Sequence, residues 1–299
     1  MKKLVPYVLV SLTILAFNSC DKVKFPKQVG STGSSGNPNA VVRKVLLEDY
    51  TGASCGTCPP AGEEADLLET QYGNKLVRLT VHAGFLSVPS SPPMDYDFRN
   101  TVATDYYNTF GIITNPTGMV DRVGFPTTTH LLSYATWGSN ISTRLANAPD
   151  VDIKISNTYN TTNRQLDVVV TSKFLTQQTG YYKLAVLFVE DSVQKPQIDY
   201  RITSPSIDNN YMHRWVLRAG INGGGTGWGD TLIYSAPVNA GDSIILSSPT
   251  FTIPTNYNTG SNIWVVDDRK CWVVAFIYDA DPTSPTHYQV MQADKKRVR

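Results

Sequence analysis

At 299 residues the chain is longer than one typical domain and can bury two separate cores. Lys and Arg number 26 against 25 Asp and Glu, a formal charge of +1, and no basic block is long enough to give the electrostatic footprint of a nucleic-acid binder. Only 17% of residues are charged while Thr, Ser, Asn and Tyr are plentiful, a composition of exported β-rich proteins rather than cytosolic helical ones.

The N-terminus points to export as well. Lys2 and Lys3 precede Leu4 to Phe17, an apolar run too short to anchor a folded protein across a bilayer and the right length for a signal-peptide core. It ends at FNSC. Ser19 directly before Cys20 resembles the lipobox of bacterial lipoproteins, whose cysteine is diacylated and opens the mature chain. Phe17 and Asn18 depart from the commoner residues there, and an ordinary signal peptide cut nearby is the alternative. Asp21 to Ala40 has no apolar periodicity and ends in Gly, Ser, Asn and Pro, so it reads as a flexible tether, holding the folded part roughly 25 Å from its anchor.

Val41 to Asp49 is a β-rich apolar run, followed at once by the turn TGASCGTCPPA. Glu63 to Tyr72 carries apolar residues at helical spacing and stops at Gly73, and Lys75 to Ala83 alternates as a strand does. Asp95 to Phe110 predicts a second helix, Gly118 to Val123 a short strand, and Leu131 to Asn147 a third helix. The β–α–β–α–β–α order calls for a sheet with helices on its faces. Beyond Pro149 the texture changes: VDIKI, QLDVVVTSKF, YYKLAVLFVED, HRWVLRAG, DSIILSS, CWVVAFIYD and YQVMQA are β-branched or aromatic runs separated by Gly, Asn, Asp or Pro. They predict an antiparallel sandwich of immunoglobulin-like or jelly-roll type.

Cys55 and Cys58 stand at a strand–helix junction, the position of a thiol–disulfide pair, because the spacing lets both sulfurs meet across one turn. A redox pair and a structural staple both satisfy it. A zinc site needs a second ligand pair, which Cys271 and the scattered His82, His130, His213 and His287 do not supply. Pro59 and Pro60 are tolerable only in a first helical turn, which starts the helix near Cys58.

In LEDYTGASCGTC and FGIITNPTGMV the chain resembles the thioredoxin superfamily. The resemblance implies that Asp49, six residues before Cys55, is a buried acid relaying the proton of the resolving thiol Cys58. It also implies that Pro116 is cis against the disulfide, and that the backbone of Asn115 binds an extended substrate. Ser54 and Thr57 depart from the usual Trp and Pro. More narrowly, LLEDYTGASCGTCPPAG, NNYMHRWVLRAGINGGGTGWGD and the closing YQVMQADKKRV resemble the outer-membrane protein twenty-eight family of Gram-negative anaerobes, which joins a lipoprotein signal, a thioredoxin-like domain and a C-terminal sandwich.

These readings divide the chain into a signal peptide (1–19), lipidated Cys20 and tether (20–40), an α/β thioredoxin-like domain (41–148) and an all-β sandwich (149–299). An oxidising compartment predicts a Cys55–Cys58 disulfide. The expected protein is a lipid-anchored outer-membrane protein, periplasmic or surface-exposed, with no cofactor beyond that disulfide, no metal and no nucleic-acid partner. Two functions stay open. In one, the CGTC pair is a thiol–disulfide oxidoreductase, with catalytic Cys55, Cys58, Asp49 and Pro116 and substrate-binding Asn115. In the other, the disulfide is structural, and the sandwich recognises a protein, peptide or glycan partner as an adhesin or receptor would. Gly220 to Asp230, GINGGGTGWGD, lacks the ending of a phosphate-binding loop and reads as a long mobile hairpin or binding loop. Cys271, among apolar neighbours, reads as a buried free thiol.

Overall fold

The apolar run after Val41 becomes β1 (Val45–Thr51), buried along its whole length. In the computed structural model, which describes residues 41–259 and 262–299, it pairs in parallel with β2 (Leu76–His82) and antiparallel with β3 (Thr117–Val120). The expected signal peptide, Cys20 and the tether lie outside the described residues. Helix α1 (Pro59–Tyr72) connects β1 to β2. Both prolines occupy its first turn and Cys58 is its N-cap, the start the prolines require. Helix α2 (Thr101–Thr109) is shorter than its pattern suggests, because the Asn100 side chain accepts from Ala103 N and fixes the start there. The residues before it instead insert Tyr96 and Phe98 into a small apolar cluster. Helix α3 (Trp137–Leu145) closes this half.

The second half does not stand apart from the first. Val41–Arg299 is one compact unit, and strands from both sides of the expected 148/149 boundary enter one sheet. Its order is β18-β17-β6-β11-β2-β1-β3, where β6 is Tyr181–Glu190, β11 Val216–Gly220, β17 Cys271–Asp279 and β18 Val290–Arg297. The junction is the edge of β2 left free by β1. Val216 pairs with Thr80 there, and Thr80 N donates to Trp215 O at 2.8 Å. An edge of this kind is a template for another strand, and the chain supplies its own.

Burial on both faces explains the composition of β6 and β17. Ala185, Leu187, Val189, Val274 and Phe276 pack on one side with Val102, Tyr106 and Phe110 of and beside α2. Leu184, Val186, Phe188, Val273 and Ile277 pack on the other with Ile153, Ile155, Val168 and Val170. The latter come from a second sheet of β4 (Val151–Asn160), β5 (Gln165–Phe174), β13 (Ser243–Ser247) and β14 (Phe251–Thr252), which therefore lies on the central sheet. Strands covered on both faces read as unbroken apolar runs. Near β1, helices α1 and α3 cover Val45, Leu47 and Val120 through Ala61, Leu68, Trp137 and Ile141. Behind β3, fully buried Arg122 holds fully buried Glu48 in a bidentate pair at 2.8 and 2.7 Å.

Between β6 and β11 the chain leaves the sheet as an arm of two short antiparallel ladders. β7 (Val193–Gln194) pairs with β10 (Met212–His213), and β8 (Gln197–Ile198) with β9 (Ile207–Asp208). The remaining strands are β12 (Asp230–Tyr234), beside β6, and the hairpin β15 (Asn256–Thr259) and β16 (Asn262–Val265). GINGGGTGWGD is folded down tightly: Tyr106 Oη donates to Gly227 O at 2.5 Å, and Gly229 lies against the Leu184 backbone. Left-handed φ angles at Gly223, Gly224, Gly225, Gly227 and Gly229 make that path available to glycine.

Candidate functional site at the Cys55–Cys58 disulfide

The turn that ends β1 is tied by its own backbone, with Cys55 N donating to Gly52 O at 3.0 Å and Cys58 N to Cys55 O at 3.1 Å. Ser54 N donates to Leu86 O, fastening the turn to the segment after β2. Cys55 and Cys58 are joined by a disulfide. Pro116 follows a cis peptide bond and immediately precedes Thr117, which pairs with Tyr50 near the end of β1, where the cysteine turn departs. Asn115 is buried, its amide donating to Ala83 O at 3.4 Å. Cys271 is a buried free thiol whose pKa burial pushes up.

Beneath Cys58 lies a polar cavity of about 20 Å³, room for one water, lined among others by Asp49, Thr51, His82, Tyr211 and His213. Burial pushes the Asp49 carboxyl up to about 7, against the attraction of Arg78. Asp49 Oδ1 and His82 Nε2 have no hydrogen-bond partner among the described residues. Burial also holds both imidazoles neutral, pulling His213 down to about 3 and His82 well below the usual histidine range, the latter helped by His213 and Arg218. The cavity thus holds a carboxyl poised to exchange a proton near neutrality beside a cysteine. Among the described residues no group of three or more His, Cys, Asp or Glu side chains is arranged to hold a metal ion.

The arm covers this machinery. Ile198 N donates to Ala53 O and Tyr200 N to Gly56 O, each at 3.0 Å, and the Gln197 amide donates to Gly52 O at 3.2 Å and Cys55 O at 3.0 Å. Arg201 clamps the arm to α1 through Glu63 at 2.7 Å. The Tyr200 ring lies where a Cβ on Gly56 would stand, and the Tyr211 hydroxyl fills the same space at Gly62. Cys55 is left 1% exposed and Cys58 3%. Sequence reading assigned no role to Gln197, Tyr200 or Tyr211. The one local sign was the glycine inside CGTC, the residue that admits close approach of another group.

Residues 103–299 match the family described as outer membrane protein Omp28. The chain belongs to the Omp28 family. The Omp28 match takes in the arm, the second sheet and β17–β18, and begins after the cysteine turn. Two solved structures are similar in fold. HBP35 of Porphyromonas gingivalis is 14% identical, with 87% of this chain and 76% of that one covered and a TM-score of 0.62. Protein AGR_C_4864 from Agrobacterium tumefaciens is 11% identical, with 87% and 96% covered and a TM-score of 0.51. A comparison of the Omp28 chain with curated proteins finds no match.

Proposed function

We propose that this Omp28-family chain is a lipid-anchored envelope protein with a thioredoxin-like scaffold, a shielded structural disulfide and a role in recognising a partner. The observation that carries this reading is the burial of Cys55 beneath Gln197 and Tyr200. Exchange requires a thiolate to reach a disulfide sulfur, so the arm stands in the way of the reaction. Acylation at Cys20, with two or three chains for stable anchoring, rests on FNSC. Incorporation of radiolabelled palmitate into the wild type and its loss in Cys20→Ser test that part.

Asp49 favours a second reading, in which the arm swings aside and the pair performs exchange. A substrate thiolate attacks Cys55 Sγ, forming a mixed disulfide and releasing Cys58 as a thiolate, which takes a proton from Asp49 across the cavity. A second substrate thiolate then attacks the mixed disulfide, leaving an oxidised substrate and a reduced Cys55. A Cys58→Ser trap together with the wild-type potential decides between the two. A shielded bond gives no trapped partner and a potential below about −300 mV, whereas trapped mixed disulfides and a potential well above that value establish the oxidoreductase.

A further inference from the structure

A second cavity, of about 180 Å³, shares no lining residue with the one beneath Cys58. It is walled by Tyr181, Lys183, Trp228, Tyr278, His287 and Tyr288. The rings form a continuous basin: Trp228 lies 5.0 Å from Tyr288 between centroids, Tyr288 lies 5.9 Å from Tyr278, and His287 stacks on Tyr288 at 3.9 Å. Tyr278 Oη is committed to Trp228 O at 2.7 Å, which fixes the floor. Tyr288 is held at a left-handed φ of 66°, uncommon for an aromatic residue, with its N–H donating to Asp279 O at 2.7 Å.

The polar groups around the basin are unused. Among the described residues no hydrogen bond engages Lys183 Nζ, the hydroxyls of Tyr181 and Tyr288, Trp228 Nε1 or the His287 ring, and none of these atoms is a buried orphan. Asp279, between the lining residues Tyr278 and Ala280, commits its carboxylate to Thr286, Ser284 and Asp281 N. The Arg122 guanidinium under the rings is neutralised by Glu48. Lys183, whose ammonium lies 5.9 Å from the centre of the Tyr181 ring and makes no ion pair among the described residues, is the cation of the basin, while the carboxylates of Asp279 and Asp281 act on His287.

We propose that this cavity binds the pyranose ring of an acidic sugar. The C–H face of the ring would lie on Trp228 and Tyr288, its hydroxyls would meet the free donors, and its carboxylate would pair with Lys183. A cationic ligand is opposed by Lys183. An aromatic acid would satisfy Lys183 and leave the other donors unpaired. The volume is below that of drug-sized pockets and suits one ring, such as the terminal unit of a longer glycan.

The test titrates methyl glucuronoside, methyl glucoside and benzoate into the full chain, following tryptophan fluorescence and heat. The expected result is saturable binding of the glucuronoside, weakened about fivefold in Lys183→Gln, the upper range for an exposed ion pair, with the glucoside binding the two proteins alike. Tyr181→Ala weakens both sugars, and unchanged thermal unfolding shows that each variant is folded. No saturable glucuronoside binding, equal glucuronoside affinity in Lys183→Gln, or tighter binding of benzoate than of the glucuronoside would overturn the assignment. The result is independent of the disulfide's potential, so each reading can fail alone.

Discussion

The side-chain amide of Gln197 donates to the carbonyl oxygen of Cys55 at 3.0 Å, joining the arm to the residue whose sulfur an exchange reaction would have to reach. The same nitrogen serves Gly52 O and Ile198 O, so one buried group holds three carbonyls. Gln197→Ala leaves them without it and is expected to cost about 1–3 kcal/mol in urea unfolding. It should also speed reduction of the disulfide by dithiothreitol. A reduction rate unchanged in the variant would show that the arm does not limit access.

Gly56 and Tyr200 should be energetically coupled. A Cβ at Gly56 would stand 2.4 Å from Tyr200 Cδ1, so Gly56→Ala must displace the ring. Tyr200 is exposed and its ring can move toward solvent, so the cost falls at the low end of the about 1–3 kcal/mol typical of overpacking in a core. Tyr200→Ala removes the obstacle, and the double variant should recover most of the loss introduced by Gly56→Ala. Strict additivity in the double-mutant cycle would refute the contact.

The pH dependence has two opposed parts. Asp49 binds its proton more tightly folded, at about 7, than unfolded, at about 3.8, so its contribution raises stability as pH falls through that window. His213, pulled down to about 3, and His82 act the other way: the unfolded chain takes up their protons first, and stability is lost as pH falls below about 6.5. Asp49→Asn should therefore stabilise the protein most above pH about 7, by at most about 4 kcal/mol, with the gain vanishing near pH about 4. Urea titrations of both proteins across this range test it. A gap independent of pH would mean that Asp49 is ionised throughout.

Arg122 and Glu48 offer a stability test away from the disulfide. Arg122→Met leaves a buried carboxylate alone and should cost about 3–5 kcal/mol, whereas adding Glu48→Leu should restore most of it. Chemical denaturation of the single and double variants measures both.

Much of the first half was legible because its signals are local. The Cys–Cys spacing, the two prolines of α1 and the alternation of β2 each concern one turn or one face. The joining of the halves was not, because it depends on the free edge of β2 meeting Val216, a pairing that no window of sequence contains. YYKLAVLFVED and CWVVAFIYD carried a hint in their lack of alternation, since a sandwich strand with one wet face alternates and these do not. The arm was illegible for a different reason. Its strands are two residues each, and what orders them is the backbone of the cysteine turn and the Tyr200 and Tyr211 rings seated on Gly56 and Gly62.

The pairing of Thr80 with Val216 also dictates an order of events during biogenesis. A chain emerging N-terminus first completes β1, α1 and β2 long before β11 arrives, so the newborn half presents a bare strand edge. That edge stays unpaired until β11 has been delivered, and non-local closure of this kind is slow. Closing the sheet is thus an act of the whole chain, because the edge of β2 and the strand that covers it lie far apart in sequence.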